Sequence, residues 1–308
     1  MKTDKRPILV FGATGQQGGS VTAALLKAGW QVRALVREPA GRKSEALADA
    51  GVELVRGNFN DVASIRSAMI GASGVFSVQP FSGQGALYGV TDEDEVRFGM
   101  TVADLAVECG IGHLVYSSVS LAGDEPTGMG HFDSKLRIEE HIRTLSIAAT
   151  IVRPATFMEM LVMPGFGLDT GHFNFLTRPD QLVQLLAVDD IGEFVAPIFA
   201  DPARFAGETV QLASDTVTGS DIAAAFTQAA GRPISYSRFN DTVLGANSFL
   251  AKLAELMDQG VLTGRADLEG LRKLHPRMHT IHSWLAGSGR AALEQALRTA
   301  GEWEYGHA

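Results

Sequence analysis

The sequence predicts an α/β protein built on a doubly wound parallel sheet of the Rossmann type, with a smaller C-terminal α/β lobe. Strand-like and helix-like segments alternate regularly from residue 8 to about residue 155. Such alternation is typical of a parallel sheet that is covered by helices on both faces. A glycine-rich turn also follows the first apolar run at residues 8–11, and this turn favours the dinucleotide-binding arrangement of the strands.

The glycine-rich turn carries the first functional prediction. Gly12, Gly15 and Gly18 follow the first strand at fixed spacing, and a helical pattern begins behind them. Gly12 permits the turn, Gly15 lets a pyrophosphate approach the backbone, and Gly18 lets the helix pack close to the strand. The free amides and the positive end of the helix then favour a phosphate. A glycine-rich loop without a ligand is the alternative, but its place between a strand and a helix favours a dinucleotide.

The following segments complete a six-stranded Rossmann domain over residues 1–155. Further strands are predicted at residues 31–36, 52–56, 74–78, 114–116 and 149–153. Helices between them are predicted at residues 18–28, 43–50, 62–70, 94–109 and 134–144.

The alternation changes after Arg153-Pro154, so the second half is predicted to form a smaller lobe, over residues 156–308, that takes a substrate or a partner. Residues 157–177 are rich in Met, Phe and Gly without a clean period, which predicts an irregular segment that covers a site. Residues 181–200 are expected to return to the first domain. Strands are predicted at residues 181–188, 208–212 and 234–239, and helices from residue 189 and over 218–230 and 243–259.

Composition excludes several classes of function. The net charge is −9 and no basic cluster is present, so direct binding to nucleic acid is not expected. The single cysteine, Cys109, rules out a disulfide within the chain. No apolar run is long enough to span a bilayer, and residues 1–6 run straight into the first strand, which leaves no room for a signal peptide. We therefore expect a cytoplasmic protein without a membrane partner.

The end of the second strand distinguishes between the two nicotinamide dinucleotides. An acidic side chain there suits the ribose hydroxyls of NAD, whereas a cation suits the additional phosphate of NADP. Arg37 follows the strand directly, and Arg42 and Lys43 lie close by. The local acid Glu38 lies one residue beyond the position that an NAD site requires. A guanidinium can bond two phosphate oxygens at once. Position and residue type favour NADP(H), with a solvated loop cation as the alternative interpretation of Arg37.

The carboxyl ends of the next strands supply further candidate contacts, because ligands of such folds bind there. Asn58 and Phe59 follow the third strand and are placed where they would flank the adenine. Gln79 and Pro80 follow the fourth strand, beside the expected pyrophosphate and nicotinamide ribose. Loop packing is the alternative for all four residues.

Several motifs together resemble one family. They are Gly12-Ala-Thr-Gly-Gln-Gln-Gly-Gly-Ser20, Leu35-Val-Arg37, His131-Phe-Asp-Ser-Lys135, Arg153-Pro-Ala-Thr-Phe157-Met-Glu and His282-Ser-Trp-Leu285. With these motifs, which are spread over nearly the whole chain, the sequence resembles the NmrA-like family of atypical short-chain dehydrogenases/reductases. The resemblance implies an NADP-preferring site and a nicotinamide end that meets the residues just past Pro154, such as Phe157. It also implies, for several members, a regulatory role in which the dinucleotide level or redox state is signalled to a protein partner.

The resemblance also identifies a missing catalytic residue. The superfamily normally uses a tyrosine four residues before a lysine as proton donor, with a serine or threonine after the fifth strand. Lys135 matches the lysine, but His131 occupies the tyrosine position. Ser118 is available after the fifth strand, although Val119 aligns nearest to the working position. Tyr116 cannot replace the missing donor if it lies within the fifth strand.

His131 has three interpretations. Its imidazole, with an ordinary pKa of about 6.5, could act as a general acid near neutral pH. It could instead hydrogen-bond a ligand without chemistry, or it could pack at the start of the helix that carries Lys135.

Two other groups of side chains in the second half have a composition typical of binding sites. Flexible Met and aromatic side chains cluster after Pro154 and suit an apolar, adaptable pocket, with an ordinary core as the alternative. These residues are Phe157, Met158, Met160, Met163, Phe166, Phe173 and Phe175. His275, His279 and His282 lack a carboxylate or cysteine at matching spacing, so no metal is predicted.

Two functions of different class follow from these residues. The first is an NADP(H)-binding sensor that regulates a protein partner or acts as a homodimer. The second is an NADPH-dependent reductase of a bulky apolar carbonyl, quinone or imine. The missing tyrosine favours the sensor and the apolar pocket favours the reductase. The predicted catalytic residues are His131, Lys135 and Ser118. The predicted cofactor contacts are Gly12, Thr14, Gly15, Gln16, Gln17, Gly18, Arg37, Lys43, Asn58, Phe59, Gln79, Pro80, Lys135, Pro154 and Phe157.

Overall fold

The computed structural model describes residues 6–82 and 89–299. Residues 1–5 lie outside the described residues. They make up most of the segment on which the expectation of no signal peptide rests. The chain divides into two compact units. The first comprises Met1–Val119, Gly128–Arg153 and Ile191–Val210, and the second comprises Ser120–Thr127, Pro154–Asp190 and Gln211–Ala308.

The described residues form the following elements. The strands are β1 Ile8–Val10, β2 Val32–Val36, β3 Glu53–Arg56, β4 Gly74–Ser77, β5 His113–Ser117, β6 Ala149–Pro154, β7 Thr156–Phe157, β8 His172–Phe175, β9 Val183–Leu186, β10 Thr209–Leu212, β11 Asp215–Val217 and β12 Ser235–Arg238. The α-helices are α1 Gln16–Lys27, α2 Arg42–Asp49, α3 Val62–Met69, α4 Asp92–Glu108, α5 Gly130–Thr144, α6 Val188–Ala200, α7 Pro202–Phe205, α8 Gly219–Ala230, α9 Asp241–Ala246, α10 Ser248–Asp258, α11 Leu268–Leu274, α12 Ile281–Ala286 and α13 Arg290–Ala296. Two 3₁₀ helices lie at Met158–Val162 and Leu168–Thr170.

The large sheet confirms the predicted fold class. Its strand order is β10-β6-β5-β4-β1-β2-β3, and β1 to β6 pair in parallel. The order 3-2-1-4-5-6 within it is that of a Rossmann sheet. In such a sheet the order in which the chain adds successive strands reverses beside β1. This reversal places the glycine turn after β1 at the position where such sheets bind their ligands.

The first unit is held together by strands that are apolar on both faces. Leu9, Val75 and Leu114 come from three neighbouring strands and are fully buried, and Val102 and Ile138 pack against them from α4 and α5. Strands covered by helices on both sides have this continuous apolar character. The core therefore fixes the strand ends that carry the candidate site residues.

The C-terminal half contains elements that were not predicted, among them β11 and α11 to α13, and it differs from prediction at residues 243–259 and 157–177. The helix predicted over residues 243–259 is interrupted at Asn247, whose backbone is extended. The side-chain oxygen of Asn247 caps α10 by accepting a hydrogen bond of 3.0 Å from the Leu250 amide. An asparagine cap satisfies a first-turn amide and so starts a new helix. The segment 157–177, predicted to be irregular, contains β8 and two 3₁₀ helices. Phe173 of β8 is fully buried, so it belongs to the core of the second unit.

None of the helices in the described part of the chain combines the length and apolar character that a membrane crossing requires.

Candidate functional site

The glycine turn has the geometry that its sequence predicts. Gly12 adopts a φ of +66°, in the left-handed region that favours glycine, and its carbonyl accepts a hydrogen bond of 2.8 Å from the Gly15 amide. A Cβ atom at Gly18 would lie 2.6 Å from the Phe11 carbonyl oxygen. Helix α1 therefore approaches the end of β1 more closely than any other residue type at position 18 permits.

The start of α1 presents its first-turn amides without a side-chain cap. Gly15 is the N-cap residue and supplies no side-chain hydrogen bond, while Thr14 and Gln16 are exposed. Uncapped amides at the positive end of a helix form a suitable site for a phosphate. The Gln17 side chain is engaged elsewhere, since its Oε1 accepts a hydrogen bond of 2.7 Å from Ser117 Oγ. This bond fixes the Gln17 side-chain oxygen on β5, while the Gln17 backbone amide stays at the uncapped start of the helix.

A cavity of about 360 Å³ lies at the ends of β2 and β3. Arg37, directly after β2, and Arg56, the last residue of β3, both line it. The parallel register places Arg56 beside Val36, which brings the two guanidinium groups to one cavity. Gly41, the N-cap residue of α2, also lines it and supplies no side-chain cap. Two guanidinium groups and an uncapped helix start suit a phosphate monoester.

The residues around this cavity differ in part from those predicted from the sequence. Glu38 is among the residues that line it, whereas Lys43 lies exposed in the first turn of α2 and is absent from the lining residues. Arg56 was missed by sequence reasoning. A cation at the end of the third strand was the available signal, but the strand register that brings Arg56 beside β2 is a tertiary property.

Asn58 and Phe59 follow β3 as predicted, but both have partners within the protein. The Asn58 side chain accepts a hydrogen bond of 2.9 Å from the Asn60 amide. The Phe59 ring stacks between Phe11 and Phe98, at centroid distances of 5.4 and 5.2 Å. Phe59 is therefore packed against the core, and only its exposed part is available to an adenine.

The segment after β4 carries the next two predicted contacts. The side-chain Nε2 of Gln79 donates a hydrogen bond of 2.8 Å to Ser77 Oγ, at the end of the strand. Pro80 is exposed, and Phe81 beside it is 38% exposed although it is a large aromatic residue. This segment thus presents an apolar ring at the carboxyl edge of the sheet.

His131 lies in the first turn of α5 and is 5% exposed. Its ring packs edge-on against Phe81, with 5.3 Å between the centroids. Burial, and then the positive charge of Lys135, lower its pKa to about 4, although Asp92 and Asp133 act in the opposite direction. The imidazole is therefore neutral at pH 7, where it can form hydrogen bonds but supplies no readily lost proton.

Lys135 lies one helical turn after His131. Its ammonium forms an ion pair with Glu95 of α4 and donates a hydrogen bond of 3.1 Å to the His131 carbonyl oxygen. It also lies 5.2 Å from the centroid of the Phe81 ring. Sequence reasoning missed Glu95, which is one of four consecutive acids at the start of α4 and has no distinguishing signal in the sequence.

The hydroxyl groups on β5 and after it are buried. The Ser118 Oγ has no hydrogen-bond partner among the described residues, and Ser118 is 4% exposed. Tyr116 lies within β5 and is 1% exposed, and burial raises its pKa well above the ordinary value. Tyr116 therefore does not replace the missing tyrosine, and no described residue uses the hydrogen-bonding capacity of the buried Ser118 hydroxyl.

The remaining predicted contacts belong to the second unit. Pro154 ends β6 and Phe157 ends β7.

His275 Nε2 and His279 Nδ1 form hydrogen bonds of 3.0 and 2.8 Å with the Asp190 carboxylate. Burial opposes ionisation of this carboxylate, but the hydrogen bonds from His275, Ser214 and His279 hold its pKa below the ordinary value. The two histidines thus converge on a hydrogen-bonded carboxylate that their spacing in the sequence did not indicate.

The sheet order and the glycine turn define a Rossmann-fold protein whose candidate site lies at the carboxyl edge of its parallel sheet. The chain belongs to the NmrA-like family, whose family model matches residues 4–260.

Relatives and solved structures agree with this assignment. The NmrA-like family domain-containing oxidoreductase malD of Malbranchea aurantiaca is 31% identical over 264 residues, which are 79% of this chain and 78% of that protein. NmrA, a negative transcriptional regulator, was solved in complex with NADP; it superposes with a TM-score of 0.77 at 22% identity, over 95% of this chain and 98% of that one. The triphenylmethane reductase of Citrobacter sp., solved in complex with NADP(H), superposes with a TM-score of 0.73 at 21% identity, over 94% and 100% of the two chains. At such identities the structural likeness shows a shared fold.

Proposed function

We propose that this protein binds NADP(H) at the carboxyl edge of its first unit. The observation that carries the proposal is the cavity shared by Arg37 and Arg56, because a 2′-phosphate is what distinguishes NADP from NAD there. The uncapped start of α1 supports it as the pyrophosphate site. The NADP complexes of NmrA and of the triphenylmethane reductase are consistent with this assignment.

We further propose that the protein senses the level or redox state of the dinucleotide and regulates a protein partner or its own dimer. A general acid needs a proton that it can donate at the working pH. His131 is buried and neutral, Lys135 is paired with Glu95, and Tyr116 is enclosed in its strand. Of these side chains, the His131 imidazole and the Tyr116 hydroxyl provide no ready proton for a substrate carbonyl.

A second candidate function is an NADPH-dependent reductase of a bulky apolar carbonyl, quinone or imine. The name of the relative from Malbranchea aurantiaca, an oxidoreductase, favours it. Hydride transfer belongs to the cofactor, so the protein need only place a substrate over the nicotinamide. The neutral His131 imidazole and the Ser118 hydroxyl, which has no partner in the described part of the chain, would then orient the substrate by hydrogen bonds. We also infer a cytoplasmic location, with no direct nucleic-acid or membrane partner, for either function.

Two measurements on the purified protein separate these functions. Calorimetry with NADPH and NADP⁺ is expected to give micromolar dissociation constants, and failure to bind either form would overturn the whole proposal. NADPH consumption is then followed with a panel of aldehydes, quinones and imines, for the wild type and His131→Ala. The sensor proposal expects no turnover, together with a dinucleotide-dependent change in oligomeric state or partner binding. Turnover that is lost in His131→Ala would establish the reductase instead.

A further inference from the structure

Glu95 is a buried carboxylate whose partners lie on two other segments of the first unit. It is the innermost of the four acids in the first turn of α4 and is 1% exposed. Burial of a charged group is costly unless the group is paired and hydrogen-bonded. Its partners therefore identify what the carboxylate holds in place.

The two oxygens of Glu95 bind different segments. Oε1 forms the ion pair with Lys135 of α5. Oε2 accepts hydrogen bonds from the Ser82 amide at 3.1 Å and from the Ser82 hydroxyl at 2.6 Å. Ser82 is itself 5% exposed. One carboxylate thus joins α5 to the segment that follows β4.

The ion pair also directs the Lys135 ammonium. An ammonium has three N–H donors; Glu95 takes one and the His131 carbonyl takes a second. These two contacts set the direction of the third. The Phe81 ring, adjacent to Ser82, lies against both the ammonium and the His131 imidazole. The position of Lys135 and the position of Phe81–Ser82 are therefore parts of one arrangement.

We propose that Glu95 is a positioning residue that couples the Lys135 ammonium to the segment Val78–Ser82. It orients the Lys135 ammonium and holds the Phe81–Ser82 wall at the carboxyl edge of the sheet, where the dinucleotide is proposed to bind. The proposal rests on the NADP(H) site proposed above. Because coupling between two sites is reciprocal, dinucleotide contact at Lys135 stabilises Ser82, and loss of the Ser82 contact weakens dinucleotide binding.

A buried ion pair is weak evidence for stability, because apolar replacements of similar volume are often neutral or stabilising. Glu139 of α5 supplies a matched comparison, since it is also fully buried and pairs with Arg153 through bonds of 2.6 and 2.9 Å. Glu139 has the burial and charge of Glu95, but neither Ser82 nor Lys135 is among its hydrogen-bond partners in the described chain.

Hydrogen exchange tests the coupling without any ligand. The Ser82 amide is expected to exchange about tenfold faster in Glu95→Gln and in Lys135→Met than in the wild type. Glu95→Gln removes the carboxylate that accepts its hydrogen bond, and Lys135→Met removes the cation that holds this carboxylate in place. The Glu139→Gln control is expected to leave Ser82 exchange unchanged when it is compared with the wild type under conditions of equal free energy of global unfolding. Unchanged Ser82 exchange in Lys135→Met would overturn the coupling.

NADPH titration by calorimetry tests the role in binding. Glu95→Gln is expected to weaken NADPH binding about tenfold, a size typical of losing a hydrogen bond to a charged group, and Glu95→Asp to recover part of the loss. Ser82→Ala is expected to weaken binding about threefold in the wild type and to have no effect in Glu95→Gln, because coupled residues are non-additive. NADPH added to the wild type is expected to slow exchange at Ser82, and to do so less in Glu95→Gln.

The outcomes separate the two proposals. If the wild type binds no NADPH, the proposed function fails, while the exchange experiment still decides whether Glu95 couples Lys135 to Ser82. If the wild type binds and Glu95→Gln binds equally tightly, the positioning role is overturned. Should Glu95→Gln not fold, Glu95→Asp and Ser82→Ala, each compared with the wild type, give the same decision.

Discussion

The Ser117 hydroxyl donates a hydrogen bond of 2.7 Å to the side-chain oxygen of Gln17. Ser117 ends β5 and Gln17 lies in the first turn of α1, so a bond between residues 100 positions apart fixes the glycine turn against the sheet. A phosphate site held in its binding conformation costs less to organise when the ligand arrives. The relationship therefore connects the packing of the sheet with the affinity of the site.

Removal of this bond is expected to affect both stability and binding. Ser117→Ala should lower the free energy of unfolding by about 1 kcal/mol, the usual net value of such a bond, and should weaken NADPH binding about threefold. Gln17→Ala in the same background should add little, because the two side chains act as one unit. Urea unfolding and calorimetry measure the two effects.

A buried serine without a partner supplies the control for this prediction. Ser134 of α5 is 1% exposed, and its hydroxyl has no hydrogen-bond partner among the described residues. Ser134→Ala should therefore be neutral or stabilising. Equal destabilisation by Ser117→Ala and Ser134→Ala would mean that the Gln17 contact contributes nothing.

Gly18→Ala is expected to displace the start of α1. The new Cβ would lie 2.6 Å from the Phe11 carbonyl oxygen, which is backbone and cannot rotate away. We expect NADPH affinity to fall at least tenfold, about 1.4 kcal/mol or more, with a lower unfolding midpoint in urea.

The neighbouring glycine provides a matched control. A Cβ at Gly19 would lie 3.4 Å from the Ala13 carbonyl oxygen, an ordinary contact. Gly19→Ala should stabilise α1 by roughly 0.5–1 kcal/mol, because alanine is the better helix former. Loss of stability in Gly19→Ala as large as in Gly18→Ala would contradict the close approach at position 18.

Arg37 and Arg56 are expected to select the phosphorylated coenzyme together. Arg37→Ala should weaken NADPH binding at least tenfold, about 1.4 kcal/mol or more, with little change for NADH. Arg56→Ala should show the same preference, since both residues line one cavity. Calorimetric titration of each variant with NADPH and NADH measures the difference.

An exposed arginine outside the cavity is the control for charge alone. Arg66 of α3 pairs with Glu108, and Arg66→Ala should leave both affinities unchanged. Losses of equal size for NADPH and NADH in Arg37→Ala would show that Arg37 does not contact the 2′-phosphate.

Two buried histidines predict how stability depends on pH. Burial lowers the pKa of His113 to about 4, and burial followed by the charge of Lys135 lowers that of His131 to about 4. Between pH 4 and 6.5 the unfolded chain therefore binds more protons at these positions than the folded chain does. The two neutral histidines make their full contribution to the free energy of unfolding above pH 6.5. This contribution is lost as the pH falls toward 4, and it amounts to on the order of 3 kcal/mol for each histidine at most.

Urea unfolding at pH 7 and pH 5 measures this dependence. The wild type should lose stability on acidification, and His131→Asn should lose less, because one buried titrating group has been removed. Equal pH dependence in the wild type and His131→Asn would contradict a buried, neutral His131.

Part of the architecture follows from the sequence because its causes are local. The alternation of strands and helices, the glycine turn after β1 and the cation after β2 depend on neighbouring residues, and the strand order agrees with the arrangement that the glycine turn favours. Helix ends were less predictable. Asn247 divides one predicted helix into α9 and α10 by a capping bond that competes with helix continuation.

The site itself required tertiary structure. Arg56 reaches the cavity through the register of β3 on β2, and Glu95 meets Lys135 through the packing of α4 against α5. The sequence by itself determined which residue types stand at the strand ends, including His131 in place of a tyrosine. Only the fold decided that His131 is buried and neutral, because a pKa depends on solvent exclusion and on charges from elements distant in sequence.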